Sequence, residues 1–359
     1  MRTLTYLAAG LATAALWVAA SLAPAQAQTL DLSQEESHKQ IRAWAEEPLD
    51  TAPLKKEPPY TLGVSAGYLS NSWILFASQL LRHEASLHPE ITEVIVTDAA
   101  FNPAKQAADI EDLTSKGVDL LLFWPVDEAS ILPALQKAHA AGIVTVNVGY
   151  NFMHDPAVTG NAYVDQWEMT AEGARHFVEA LGGKGKVLVM MPIAGSSAAV
   201  VQLAAFESVI KDHPEIEILS VEYGDWNRAK AKQLTENALQ RFPEINGVFS
   251  PAAQMTMGMV EAFDEAGRLD EVIFSPGDEY NGWLRWTRES KAAGSMTSGL
   301  EVARAAVQHG LAILKGEQVN NAVIVPTRYL TPEEAGALYQ EGRPDDWWPT
   351  DLPPEFLPQ

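Results

Sequence analysis

From Tyr60 onward, short apolar runs alternate with longer amphipathic stretches. Tyr60–Ser65, Ile91–Thr97, Leu120–Phe123 and Val144–Val148 are rich in β-branched residues and short, which predicts buried strands rather than buried helices. A second series follows at Val187–Met191, Ile216–Val221, Gly247–Ser250, Val272–Ser275 and Ser295–Ser298. Between these runs, apolar positions recur at helical period in Trp73–Ser86, Pro103–Ser115, Ala129–Ala140, Glu168–Leu181, Ala198–Asp212, Arg228–Gln240, Thr256–Ala266 and Glu301–Lys315. Asn102 before Pro103 and Ser196-Ser197 before Ala198 are helix-start signals. Gly117, Gly142, Gly267 and Gly316 stand where a helix end wants a left-handed residue. Alternation of strand and helix predicts an α/β fold of parallel sheets covered on both faces. The two series, broken near Gly160-Asn161, predict two doubly wound halves.

The flanks read differently. Arg2 is the only charge before Asp31, Leu4 to Ala20 is an apolar run, and Ala25-Gln26-Ala27 offers small residues for a peptidase. This is the pattern of a secretory signal cleaved after Ala27, and the run is too short and too poorly flanked for a membrane anchor. Residues 28–59 are polar and proline-bearing, a leader arm with one helical candidate at Gln34–Glu47. Residues 336–359 are rich in proline and acid but carry Trp347-Trp348, so this C-terminal tail is expected to lie along the body.

Composition narrows the chemistry. The chain has no cysteine, which excludes disulfides, thiolate metal sites, cysteine nucleophiles and a lipidated N-terminal cysteine. An exported protein without a lipid anchor is expected in the periplasm. A net charge of −22 argues against nucleic acid, because phosphate binding needs a basic face. A cytosolic repressor would also need a helix-turn-helix where the signal stands.

Catalytic and cofactor motifs are missing. Gly182-Gly183-Lys184-Gly185-Lys186 lacks the hydroxyl of a phosphate loop and reads as a helix-to-strand turn. Gly195-Ser196-Ser197-Ala198 misses the nucleophile elbow and reads as a helix cap. No histidine pairs with another four residues on beside a glutamate, and the acidic clusters lack the glycine of a calcium loop. No enzyme activity, cofactor or metal is expected.

In doubly wound sheets, ligands sit beyond the carboxyl ends of the strands. The residues there include Asn71, Trp73, Trp124, Asp127, Asn147, Gly195–Ser197, Trp226, Asn227, Pro251–Gln254, Asp278 and Ser298. Flat aromatics combined with amides, a carboxylate and a hydroxyl suit a sugar or polyol. Its C–H faces pack on indole rings, and each desolvated hydroxyl needs partners. Trp167, Trp283 and Trp286 are read as core instead.

The stretch from Phe101-Asn102-Pro103-Ala104-Lys105-Gln106 through Ile110-Glu111-Asp112-Leu113 and Gly117-Val118-Asp119 to Pro125-Val126-Asp127 resembles the type I periplasmic sugar-binding proteins. These are the ribose-type solute-binding subunits of ABC transporters. Gly142–Asn147, Ile193–Ala199, Gly247–Phe249 and Leu314–Glu317 extend the likeness over roughly residues 60–325. The resemblance implies two lobes joined by a hinge: 60–161 with 299–323, and 162–298 with 324–335. It places ligand-binding roles on Asn71, Trp73, Trp124, Asn147, Gln202, Trp226, Gln254 near Ala252, Asp278 and Ser298.

Several positions depart from the ribose-type pattern. The second stacking aromatic falls on Ile74, the two arginines on Val148 and Gln202, and one ligand aspartate on Asn147. Loss of these charged partners points away from ribose, galactose and glucose and toward a polyol, a deoxy or branched sugar, or a furanose-like compound. Ser250-Pro251-Ala252-Ala253 is similar to the autoinducer-2 branch of the family. The expected function is capture of a small neutral sugar or polyol by hinge closure, as a monomer, and delivery to an ABC transporter permease. The alternative is a sensory protein of the same fold, autoinducer-2-like or a co-receptor for a chemoreceptor or kinase.

Overall fold

Leu120–Trp124 and Val144–Gly149 are buried at every position, as strands covered on both faces must be. In the computed structural model, which describes residues 31–149, 152–289 and 293–358, they form the middle of a six-stranded sheet. Its spatial order is Ala322–Val325, Gly160–Val164, Val144–Gly149, Leu120–Trp124, Tyr60–Ala66 and Ile91–Asp98, all parallel. A second parallel sheet has the order Ile273–Phe274, Gly247–Phe249, Gly185–Met191 and Ile216–Tyr223. Gly277–Asp278, Ser295–Met296 and Tyr329–Leu330 form a small mixed sheet.

The helix starts follow the predicted chemistry. Asn102 Oδ1 accepts from Lys105 N at 3.1 Å, and Ser196 Oγ accepts from Ala199 N at 3.2 Å. Each satisfies a backbone donor that the first turn leaves without a partner. The helix expected from Thr256 begins earlier, at Ala253. Its N-cap Ala252 has no capping side chain, so no local signal marked the start.

The expected break at Gly160-Asn161 is instead the strand Gly160–Val164, well inside the six-stranded sheet. Glycine is needed there because a Cβ would stand 2.7 Å from His309 Nε2 on the covering helix Val302–Lys315. His309 itself is buried, and burial pushes its imidazole down to about 4, so it is neutral at physiological pH. The expected lobe boundaries at 161/162 and 323/324 fall inside the paired strands Gly160–Val164 and Ala322–Val325.

Both flanking segments are fastened to the body. The leader helix Glu35–Ala45 places Arg42 Nη1 2.6 Å from Asp165 Oδ2, and His38 stacks on Trp167 at 4.7 Å. Pro48–Leu49 then pairs antiparallel with Val319–Asn320. In the tail, Trp348 is fully buried and Trp347 nearly so. The signal and its cleavage site lie outside the described residues. Among the described residues no helix is long and apolar enough to cross a membrane.

The helices Arg228–Arg241 and Ala253–Glu265 touch backbone to backbone at Gly258, where a Cβ would come within 2.1 Å of Arg228 O. Gly258→Ala must therefore push the two helices apart. We expect a loss of about 2 kcal/mol, the usual scale for overpacking, read as a lower denaturant midpoint at unchanged slope.

Candidate functional site

Parallel pairing brings the carboxyl ends of the strands, and the loops that follow them, to one edge of each sheet. The two edges face one another. Ser197 Oγ, at the start of the helix after Gly185–Met191, donates to Glu128 Oε1 at 3.2 Å, at the start of the helix after Leu120–Trp124. Gln254 Nε2 reaches Ser72 Oγ at 3.4 Å in the same way. Between these contacts lie two cavities of about 70 and 110 Å³ that share Tyr68, Trp73 and Trp226 in their walls.

Six of the nine expected residues line the first cavity: Asn71, Trp73, Gln202, Trp226, Gln254 and Asp278. Trp124 lines the second. Asn71 caps the helix Ser72–Ser86 by accepting from Ile74 N at 3.0 Å, which leaves its amide nitrogen as the donor it can offer. Gln202 is 1% exposed, and its Oε1 has no protein partner. A buried carbonyl in that state needs a donor from whatever occupies the cavity.

Trp226 is aimed by an unusual loop. Asp225 and Trp226 both have φ of +54°, the left-handed region that side chains disfavour. The turn is held by Gly224 N donating to Met191 O at 2.9 Å and Asn227 N donating to Gly224 O at 2.9 Å. Trp124 is fixed by its own indole, whose Nε1 donates to Tyr68 O at 3.3 Å. Tyr68 in turn stacks on Phe101 at 4.3 Å.

Two expected residues are placed elsewhere. Asn147 is fully buried within the strand Val144–Gly149, and its Nδ2 donates to Asn161 Oδ1 at 3.0 Å. The strand runs two residues further than Asn147, so Val148 and Gly149 reach the cavity wall instead. Ser298 is held by Glu279, which accepts from its backbone N at 2.7 Å and its Oγ at 2.9 Å. Asp127 is a helix cap, accepting from Ser130 N at 2.8 Å.

The strand-end rule overlooked Tyr68, although Tyr68 follows the first strand and the rule applied to it. Met169 reaches the cavity from the helix Gln166–Leu181, which follows the strand Gly160–Val164; with Gly160-Asn161 read as a break, the strand-end rule was not applied there.

The cleft contains no lysine, arginine or histidine among the described residues of either wall. Asp278 is the carboxylate of the first cavity. Burial pushes it up to about 7, against the pull of Ala253 N, which donates to its Oδ1 at 2.7 Å. Burial also raises neighbouring Glu279 to about 7, although Ser298 donates to it twice. Among the described residues no group of three or more histidines and carboxylates could hold a metal ion.

The sequence matches the periplasmic binding protein domain over residues 62–318. It is 27% identical over 280 residues to the ribose import binding protein RbsB of Bacillus subtilis, covering 77% of this chain and 88% of that protein. It is 26% identical over 229 residues to a xylitol-binding protein of Mycolicibacterium smegmatis, covering 63% of this chain and 65% of that one. Its fold is similar to a solute-binding protein of an ABC transporter from Bacillus halodurans, solved with bound myo-inositol. That superposition has a TM-score of 0.73 and 22% identity, and covers 79% of this chain and 98% of the other.

The raised carboxyls set a pH dependence. In the folded chain they keep their protons to higher pH than in the unfolded chain. The folded state therefore binds more protons between about pH 4 and about pH 7. Stability contributed by these groups falls as pH rises through that window. Asp278→Asn removes one of the two titrations. The variant should gain stability relative to the parent from about pH 4 to about 7 and hold a constant difference above. Urea melts of both proteins across this range check it, and parallel pH profiles would contradict the assignment.

Proposed function

This chain belongs to the periplasmic binding protein domain family, and we propose that it captures one small uncharged polyol or sugar between two lobes. The observation that carries this reading is the cleft wall itself. Indoles from Trp73 and Trp226 offer flat apolar faces, while Gln202, Gln254, Asn71 and Asp278 offer neutral or proton-sharing polar groups. A polyhydroxylated carbon skeleton presents the matching pattern of C–H faces and hydroxyls. An anionic ligand would meet no cation in this wall and one carboxyl. The relatives named for ribose and xylitol, and the neighbour with myo-inositol, support a ligand of this class. Val148 and Gln202, standing where the ribose-type pattern has arginine, favour a polyol over a fully hydroxylated hexose.

The family is exported to the periplasm, and its members bind and hand on solutes rather than transform them. For this chain we infer cleavage after Ala27, a monomeric mature form, and delivery to the permease of an ABC transporter. The lobes are those expected from the sequence, 60–161 with 299–323 and 162–298 with 324–335, with their boundaries moved to the ends of the paired strands at residues 164 and 325. Ligand contacts made from both lobes exist only when the lobes are together, so binding shifts the population toward the closed form. That form is what the permease reads.

Calorimetry against ribose, xylitol, myo-inositol and glycerol should identify a binder that is recovered unchanged. Trp226→Ala and Asp278→Ala should each weaken it at least about tenfold, the scale of a lost stacking face or charge-assisted hydrogen bond. Undiminished affinity in both variants would remove this cleft as the binding site.

A further inference from the structure

The C-terminal tail lies outside the family match, which ends at residue 318, yet it is built into both sides of the cleft. On the side of the four-stranded sheet, the buried Asn281 anchors it. Asn281 Nδ2 stands 3.2 Å from the carbonyls of Gln340, Arg343 and Pro344, and its Oδ1 accepts from Gln340 N at 3.0 Å. Asn281 N donates to Trp347 O at 2.8 Å, and Arg285 pairs with Asp345 at 2.9 Å.

On the side of the six-stranded sheet, Trp347 meets Phe76 edge-on at 5.0 Å, and Asp351 pairs with Arg304. Phe356 packs on His83 at 5.0 Å. Trp348 joins the two sides. Its ring meets Tyr280 at 5.7 Å, and its Nε1 donates to Ser72 Oγ at 2.9 Å. The same Ser72 oxygen accepts from Gln254 Nε2, which belongs to the cavity wall.

The geometry points to residues 340–357 acting as a strap across the cleft that holds the lobes together before ligand arrives. Trp348 is its latch, and Trp348 also acts as a positioning residue for Gln254 through Ser72. Trp348 is fully buried, so its N–H must keep a partner, and the partner lies across the cleft from the anchor at Asn281. The strap has its denser hydrogen bonding at Asn281, so opening peels it from the side of Ser72, Phe76 and Arg304. With Ser72 Oγ taking both indole and amide donors, one N–H of Gln254 is held in place, and its Oε1 and second N–H remain for a ligand hydroxyl.

This rests on the hinge reading of the cleft, but its test needs no ligand. The chain has no cysteine, so Lys116→Cys and Asp212→Cys, on exposed helix ends flanking the two sheets, label one dye each. Energy transfer in the ligand-free protein reads the distance between the lobes. The parent should show a short-distance population. Trp348→Phe, which keeps the ring and loses only the N–H, should reduce it. Trp348→Ala should reduce it further, and truncation after Tyr339 should abolish it. A parent-like distance distribution in Trp348→Phe and Trp348→Ala, with circular dichroism unchanged, overturns the strap. Failure of every polyol to bind would sink the proposed function and leave this result standing.

Discussion

Parallel pairing is the constraint from which the site follows. Each strand of the two large sheets runs beside its neighbours in the same sense, so each sheet has one edge made of carboxyl ends. Backbone groups at such an edge are released from the ladder, and the loops that leave it begin helices whose first N–H groups also need partners. Asn71, Asp127, Ser196 and Asn227 meet that need as caps. The cleft is therefore lined by residues that first serve the fold. The cap at Asn71 uses its oxygen and leaves its nitrogen, and in this way helix capping already decides which hydrogen-bonding partner the site can offer.

Desolvation then decides the chemistry of that wall. Burial pushes Asp278, in the cavity wall, and neighbouring Glu279 both up to about 7, and among the described residues no cation lines that wall. A carboxyl near that value can accept a hydrogen bond when ionised and donate one when protonated. It can thus adjust to a hydroxyl, which is both donor and acceptor. Gln202 and Gln254 bring the same two-sided character without a charge. An arginine at position 202 would have pulled Asp278 toward the ionised form and fixed it as an acceptor. Gln202 leaves Asp278 without that pull.

The fold was largely legible because its signals are local. Short β-branched runs, capping residues and helical periodicity each report on a few consecutive residues, and all nine expected strands are present. Five residues of the first cavity, Asn71, Trp73, Trp226, Gln254 and Asp278, were legible because they come soon after predicted strands, while Gln202, inside the helix Ser197–Ile210, was legible only through the family resemblance. Asn147 lies within its strand rather than beyond it because the end of a strand is set by its neighbours. Gly149 still pairs with Tyr163, so the strand carries Asn147 into the sheet, where Asn161 takes its amide. The bond from Ser298 to Glu279 was not legible because Glu279 comes from another segment. Gly160 read as a break because glycine usually weakens a strand, but here it admits His309 from a helix 149 positions later in the chain. None of these outcomes has a signature within its own window of sequence.

The leader and the tail show what a shared fold leaves open. Arg42 ties the leader helix to Asp165 at the start of the helix Gln166–Leu181, while Trp44 O and Glu47 O accept from Asn321, next to the six-stranded sheet. The tail spans from Asn281 to Ser72. Both segments lie outside the matched domain, and both touch elements of each sheet. Added contacts that exist only when the lobes are together raise the closed fraction of the empty protein. Apparent affinity then approaches the intrinsic affinity of the closed cleft, because less of the binding free energy is used to gather the lobes. Such contacts also blunt the difference between empty and loaded protein. A cleft with few charged partners gains most from the first effect. Its own hydrogen bonds to a neutral ligand are individually modest, so a given rise in the closed fraction would be a larger share of its binding free energy.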